Sequence, residues 1–217
     1  MNYDTILFDL DGTLTDPKLG ITKSIAYALK HYGIEVENLD SLCEYIGPPL
    51  LDSFMEGFGF SEEKAKEAVL KYREYFKEYG LYENEVYQGV ATLLATLKAR
   101  KKRIMLATSK PELFARQILE HFDLISYFDF VGGSELDGNR AEKAAVIQYV
   151  LEEANVTDLQ KVVMVGDRKY DVLGAKEVGI DCYGVLNGYG DQEELIAAGA
   201  DAIVLDVCEL AKREEFQ

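Results

Sequence analysis

Ile6-Leu7-Phe8 runs without a break into Asp9-Leu10-Asp11-Gly12-Thr13, and this junction constrains the chain more than any other segment. A short apolar run bounded by charge and turn residues reads as a strand buried on both faces, as in a parallel sheet. Side chains alternate along a strand, so Asp9 and Asp11 point the same way where the chain leaves the sheet. Two carboxylates held together are uncomfortable without a cation or a shared proton. The pair therefore suits a hard metal or acid–base chemistry. Asp-Gly after a strand is also an ordinary turn signal. What decides between the two is whether partners stand at the ends of later strands, where open α/β sheets bind ligands.

Later strands are easily found. From Gly89 onward, Val90, Leu93, Leu94 and Leu97 repeat at helical spacing, and Ile104-Met105-Leu106-Ala107 follows as a buried strand. Leu113, Phe114, Ile118 and Leu119 mark a helix, and Phe130-Val131 a short strand. Val146, Ile147, Val150 and Leu151 mark another helix, and Val162-Val163-Met164-Val165 another strand. A helix with Val172, Ala175 and Val178, a strand over 182–186 and a last one over 202–204 complete the series. Such alternation predicts an α/β fold, a doubly wound, Rossmann-like parallel sheet.

Residues 16–86 break the rhythm. Ile21, Ile25, Ala28, Leu29 and Tyr32 share one helix face. Ala65, Ala68, Val69, Tyr72, Phe76 and Tyr79 share another, with Ser61 placed as its N-cap. Gly47-Pro48-Pro49 and Gly57-Phe58-Gly59 separate them. The expected organisation is a Rossmann-like core of residues 1–15 and 87–217, interrupted by an all-helical cap domain of residues 16–86.

The strand ends carry chemistry. Thr108 closes the strand over 104–107, and Ser109-Lys110-Pro111 are expected to open the next helix, with Pro suited to a first turn. A hydroxyl with free N–H groups at a helix start makes an anion site, although Thr108 and Ser109 equally suit plain capping. Lys143 falls in a first helical turn, with Asn139 and Glu142 in a capping-box-like arrangement. It shares a face with Ile147 and Val150, so its ammonium needs a carboxylate or phosphate, or must snorkel outward. Asp167 ends the strand over 162–165, and Asp171 lies about one helical turn further on, so both can face one point. Capping accounts for one of those aspartates more easily than for two.

The chain of 217 residues is 48% hydrophobic, enough for a substantial core. With 39 acidic against 23 basic residues, a formal charge of −16 disfavours polymeric nucleic acid and anionic membrane as partners. Any phosphorylated ligand must be met by a local cluster of cations. Cys43, Cys182 and Cys208 show no metal-type spacing and suit free thiols in a reducing compartment. No basic–apolar leader precedes the first strand and no apolar run reaches membrane-spanning length, so a cytoplasmic protein is expected.

In order, Asp9-Leu10-Asp11-Gly12-Thr13, Thr108, Lys143 and Gly166-Asp167-Arg168-Lys169-Tyr170-Asp171 resemble the four motifs of the haloacid dehalogenase-like hydrolase superfamily. The likeness spans nearly the whole chain and is to phosphatases with a helical C1-type cap inserted after the first motif. Thr108-Ser109-Lys110-Pro111 and Gly166-Asp167-Arg168 look like the phosphoglycolate phosphatase-like group. Gly133-Ser134-Glu135-Leu136-Asp137-Gly138, followed by Arg140 and Lys143, looks more like a 5′-nucleotidase-like branch. Lys143 precedes Ala144-Ala145, where typical phosphoglycolate phosphatases carry a Lys-Pro-x-Pro run.

The resemblance implies a Mg²⁺-dependent phosphatase that hydrolyses a small phosphorylated metabolite through an aspartyl-phosphate. Asp9 would be the nucleophile and Asp11 the general acid and base. The metal would take the Asp9 carboxylate, the Asp11 backbone carbonyl and Asp167, with Asp171 anchoring it. Thr108, Ser109, Lys143 and Arg168 would meet the substrate, and Lys110 would add positive potential. Hinges would lie near residues 15–17 and 87–89, and Gly47-Pro48-Pro49 of the cap would help choose the leaving group. Rival readings are a phosphoglycolate phosphatase, a phosphosugar mutase using the same carboxylates, and a non-enzymatic phospho-receiver domain. In a receiver domain the acceptor aspartate stands on a middle strand and no helical insert follows the first one, unlike Asp9 here.

Overall fold

The computed structural model describes residues 2–217. In chain order the elements are β1 (Thr5–Phe8), β2 (Thr15–Asp16), α1 (Lys18–His31), α2 (Leu50–Asp52), α3 (Glu62–Tyr75), β3 (Glu85–Val86), α4 (Val90–Ala99), β4 (Arg103–Pro111), α5 (Glu112–His121), β5 (Phe130–Ser134), α6 (Lys143–Glu153), β6 (Val162–Gly166), α7 (Lys169–Val178), β7 (Asp181–Val185), α8 (Gln192–Ala198) and β8 (Ala202–Val204). The chain divides into two compact units, one running up to Asp16 and resuming at Val86–Gln217, the other Pro17–Glu85.

The larger unit is an α/β layer structure around a six-stranded sheet in the order β5-β4-β1-β6-β7-β8, parallel throughout. β1 lies between β4 and β6, with Phe8 opposite Leu106 and Val165. Leu7, Met105 and Met164 pack on one face against Val146, Ile147 and Val150 of α6 and Val172 and Ala175 of α7. Ile6, Phe8, Leu106 and Val165 are as fully buried and, by strand alternation, point to the opposite face. Burying each such side chain is worth roughly 1.5–3 kcal/mol, which is why the central strands are continuous apolar runs. The chain steps outward from β1 to β4 and β5, then crosses back to β6, β7 and β8. The order reverses beside β1, the place where sheets of this kind open a crevice at their strands' carboxyl ends.

Three local expectations are corrected. β4 does not stop at Ala107 but continues through a register shift to Pro111, which pairs with Ser134, and α5 begins only at Glu112. Ser109-Lys110-Pro111 are therefore a strand extension rather than a first helical turn. Pairing with β5 decides this, and Pro111 (φ −53°, ψ 128°) holds the extended backbone. At α6 the N-cap is Glu142 with no side-chain cap, and Asn139 bonds instead to Asp137.

The smaller unit is helical, with α1 packed on α3. Ser61 caps α3 by accepting from the Lys64 N–H. Phe54 stacks on Phe60, Phe58 lies tilted against both, Tyr32 meets Phe60 edge-on, and the Lys64 ammonium lies 3.7 Å from the Phe60 ring centroid. Tyr79, expected on the buried face, is half-exposed because α3 passes into a π-turn at Phe76–Gly80 that rotates the last residues. β2 and β3 pair where the chain leaves and regains the core. Among the described residues no helix is long and apolar enough to cross a membrane.

Candidate active site

Everything chemical gathers at the carboxyl ends of β1, β4 and β6 and the start of α6 and α7. Asp9 follows β1, its N–H bonded to Val165 O of β6, so its carboxylate starts from a fixed point. Gly12 then turns the chain at φ +82°. A side chain there would be doubly excluded, since its Cβ would stand 2.2 Å from Asp167 Oδ2.

Lys143, 5% exposed, extends from the first turn of α6 to the same point. Its Nζ lies 2.9 Å from Asp9 Oδ1 and 2.8 Å from Asp171 Oδ1, and it donates to Ala107 O at 3.1 Å. Snorkelling is thereby ruled out in favour of the carboxylate partner. Burial acts to strip the proton from Lys143, but the charges of Asp171 and Asp9 outweigh it and raise its pKa.

Asp167 is fully buried. Tyr189 N–H donates to its Oδ2 at 2.7 Å and Thr13 Oγ1 to its Oδ1 at 3.3 Å. Burial, then the charges of Asp171 and Asp9, push its pKa well up. Asp171 accepts from Arg168 N–H at 3.1 Å, and burial lifts it to about 6 against the pull of Lys143.

One oxygen from each of Asp9, Asp167 and Asp171 lies within 4.8 Å of the others. Asp9 Oδ1 and Asp171 Oδ1 have no well-formed hydrogen bond, only the nearby ammonium charge. Counting Asp11 and its partner Lys110 (2.6 Å), four carboxylates face two ammonium groups. The excess of carboxyl groups over ammonium groups, the all-oxygen donor set and the orphaned oxygens fit a hard divalent cation.

The remaining residues singled out from sequence divide. Thr108 is buried beside this cluster on the β4 extension, where its Oγ1 accepts from Lys110 N–H at 3.3 Å. Ser109 is half-buried on the same extension, so neither hydroxyl sits at a helix start as expected. Arg168 is not aimed at the carboxylates; its Nε binds Glu194 Oε1 at 2.8 Å, which ties α7 to α8. Sequence reasoning missed the loop Asn187-Gly188-Tyr189-Gly190 after β7. It folds over Asp167 and supplies the Tyr189 N–H, and the Tyr189 hydroxyl donates a short hydrogen bond to Asp16. Two glycines around an Asn-Gly turn directly after a buried strand were the available signal.

Comparison with known proteins bears on this geometry. The family model for haloacid dehalogenase-like hydrolases matches residues 6–185. A Pseudomonas aeruginosa protein named 5′-nucleotidase is 47% identical over 197 residues, 91% of this chain and 89% of that one. The tyrosine-protein kinase PtkA of Mycobacterium tuberculosis is 39% identical over 185 residues, but the match takes in 85% of this chain and only 62% of that protein. The crystal structure of a predicted phosphatase from Clostridium acetobutylicum superposes with a TM-score of 0.95 at 49% identity, covering 98% of each chain.

Proposed function

The chain belongs to the haloacid dehalogenase-like hydrolases, and from that premise we propose that it is a Mg²⁺-dependent phosphatase of small phosphate monoesters working through an aspartyl-phosphate. The observation that carries the reading is the buried ammonium of Lys143 held between Asp9 and Asp171, with Asp167 beside them.

Asp9 attacks the phosphorus in line and forms an acyl phosphate as the P–O bond to the leaving group breaks. Asp11 gives its proton to the leaving oxygen, then accepts one from the water that cleaves the intermediate. Burial raises the Asp11 carboxyl despite Lys110, which favours the protonated form an acid needs. Lys143, kept cationic by its neighbours, and the Thr108 hydroxyl hold equatorial phosphate oxygens, where charge collects. Asp9 and Asp167, with the Asp11 backbone carbonyl, would hold Mg²⁺, and Asp171 would fix that shell. When bound, the cation neutralises phosphate charge and lets Asp9 approach an anion. The Arg168 side chain is engaged by Glu194, and the residue serves the site through its backbone N–H, which holds Asp171.

A nucleoside 5′-monophosphate is the first substrate class to test, given the name of the 47% identical relative. Phosphate release should be measured across nucleoside 5′-monophosphates, phosphoglycolate and sugar phosphates, with and without Mg²⁺. The expected result is Mg²⁺-dependent release, abolished to background in Asp9→Asn. Isomerisation of a sugar phosphate without free phosphate would turn the reading toward a mutase. Undiminished turnover in Asp9→Asn would refute it.

A further inference from the structure

We infer that Lys110 is a positioning residue for the proton-transfer carboxyl of Asp11, an assignment that rests on the phosphatase reading. The Lys110 ammonium lies 2.6 Å from Asp11 Oδ2, and both side chains are almost wholly shielded from solvent. The other oxygen, Asp11 Oδ1, is buried and has no hydrogen-bond partner. One oxygen of the carboxyl is thus anchored and the other left open, the division of labour a directional proton donor requires. The anchor is itself built in. Lys110 and Thr108 are two apart on the β4 extension, the Lys110 N–H is bound by Thr108 Oγ1, and Pro111 follows with fixed φ. The register shift between Ala107 and Pro111 sets this backbone against β5.

The step is balanced as follows. Asp9 forms a bond to phosphorus, the P–O bond to the leaving group breaks with its electron pair going to oxygen, and the proton on Asp11 Oδ1 moves to that oxygen. Lys110 takes no part in the transfer and holds the resulting carboxylate in place for the returning water.

A leaving group that is a weak base needs little help from an acid, and a strongly basic one needs much. The test is therefore kcat/KM, which reports the expulsion step, for p-nitrophenyl phosphate and for glycerol 2-phosphate in the wild type, Lys110→Met and Asp11→Asn. Lys110→Met should lose about a hundredfold on the alkyl ester, within the range of general acid catalysis, and only a few-fold on the aryl ester. Adding it to Asp11→Asn should cost little more than Asp11→Asn alone. Equal losses on both esters would make Lys110 a phosphate ligand and overturn the proposal, as would full additivity in the double variant. Should Lys110→Met fail to fold, Lys110→Leu, which equally lacks a donor, is read in the same way. Failure here is separable from failure of the phosphatase reading. An inert Asp9→Asn with ester-independent Lys110 losses sinks only the positioning role, whereas an active Asp9→Asn sinks both.

Discussion

Lys143 is where residue-scale energetics are sharpest, because one ammonium compensates two buried carboxylates. Removing one partner of a buried ion pair costs roughly 3–5 kcal/mol, as the remaining charges are left unpaired. Lys143→Met should accordingly lower the melting temperature of the metal-free protein markedly and abolish turnover. Mg²⁺ should restore more of the lost melting temperature in this variant than it adds to the wild type, since it supplies the missing positive charge. Asp167→Asn should act oppositely. It removes a charge that burial and two neighbouring aspartates disfavour, so the metal-free protein should melt higher while its response to Mg²⁺ disappears. Thermal melts of both variants with and without the cation test the pair of expectations together.

Among the elements, the loop after β7 and the strand ends decide how tightly the acids are held. A Cβ on Gly188 would stand 2.2 Å from Asp167 Oδ2 and 2.4 Å from Gly12 O, so Gly188→Ala must displace either the loop or the acid. Mg²⁺-dependent turnover should fall at least about tenfold, on the scale of lost outer-shell support, while far-ultraviolet circular dichroism stays unchanged. An unaltered turnover would show that the loop does not position Asp167. At the opposite ends of the strands, Asp129 joins β4 to α4, accepting from Ile104 N–H at 2.8 Å and from Lys98 Nζ at 2.7 Å. Burial opposes ionisation there, but these bonds win and depress its pKa. A carboxyl lowered on folding stabilises above its unfolded pKa and loses that contribution as pH falls. Asp129→Asn should therefore narrow its stability difference from the wild type under acid conditions, a trend that urea melts across pH would reveal.

For the whole molecule, the acid cluster links stability, pH and metal. Asp171 rises from 3.8 to about 6 on folding, so between those values this group holds more proton in the folded metal-free protein than in the unfolded chain. A carboxyl raised in this way stabilises fully below its unfolded pKa and loses that contribution as pH climbs through the folded value. Between those limits the metal-free protein should lose stability from this group as pH rises, and Mg²⁺, which needs the carboxylate, should stabilise progressively more. The Mg²⁺-induced rise in melting temperature should thus be larger at neutral pH than under mildly acidic conditions. A pH-independent rise would remove Asp171 from the linkage.

Much of this was legible in the chain itself. Central parallel strands must be apolar on both faces, so β1 and β6 stand out as unbroken runs, and the acids that follow them are conspicuous because nothing local requires them. The sequence by itself determined the α/β alternation and the presence of Asp9, Asp11, Lys143, Asp167 and Asp171 at element ends, since periodicity and residue chemistry are local properties. Only the tertiary structure decided that Lys143 faces two carboxylates, that Arg168 goes to Glu194, that Lys110 reaches Asp11 from an extended β4 and that Tyr189 covers Asp167. Each of those choices sets a side chain or an N–H against a partner brought near by strand pairing or helix packing. A bond of that kind is fixed by what the fold places alongside, and no local pattern encodes it.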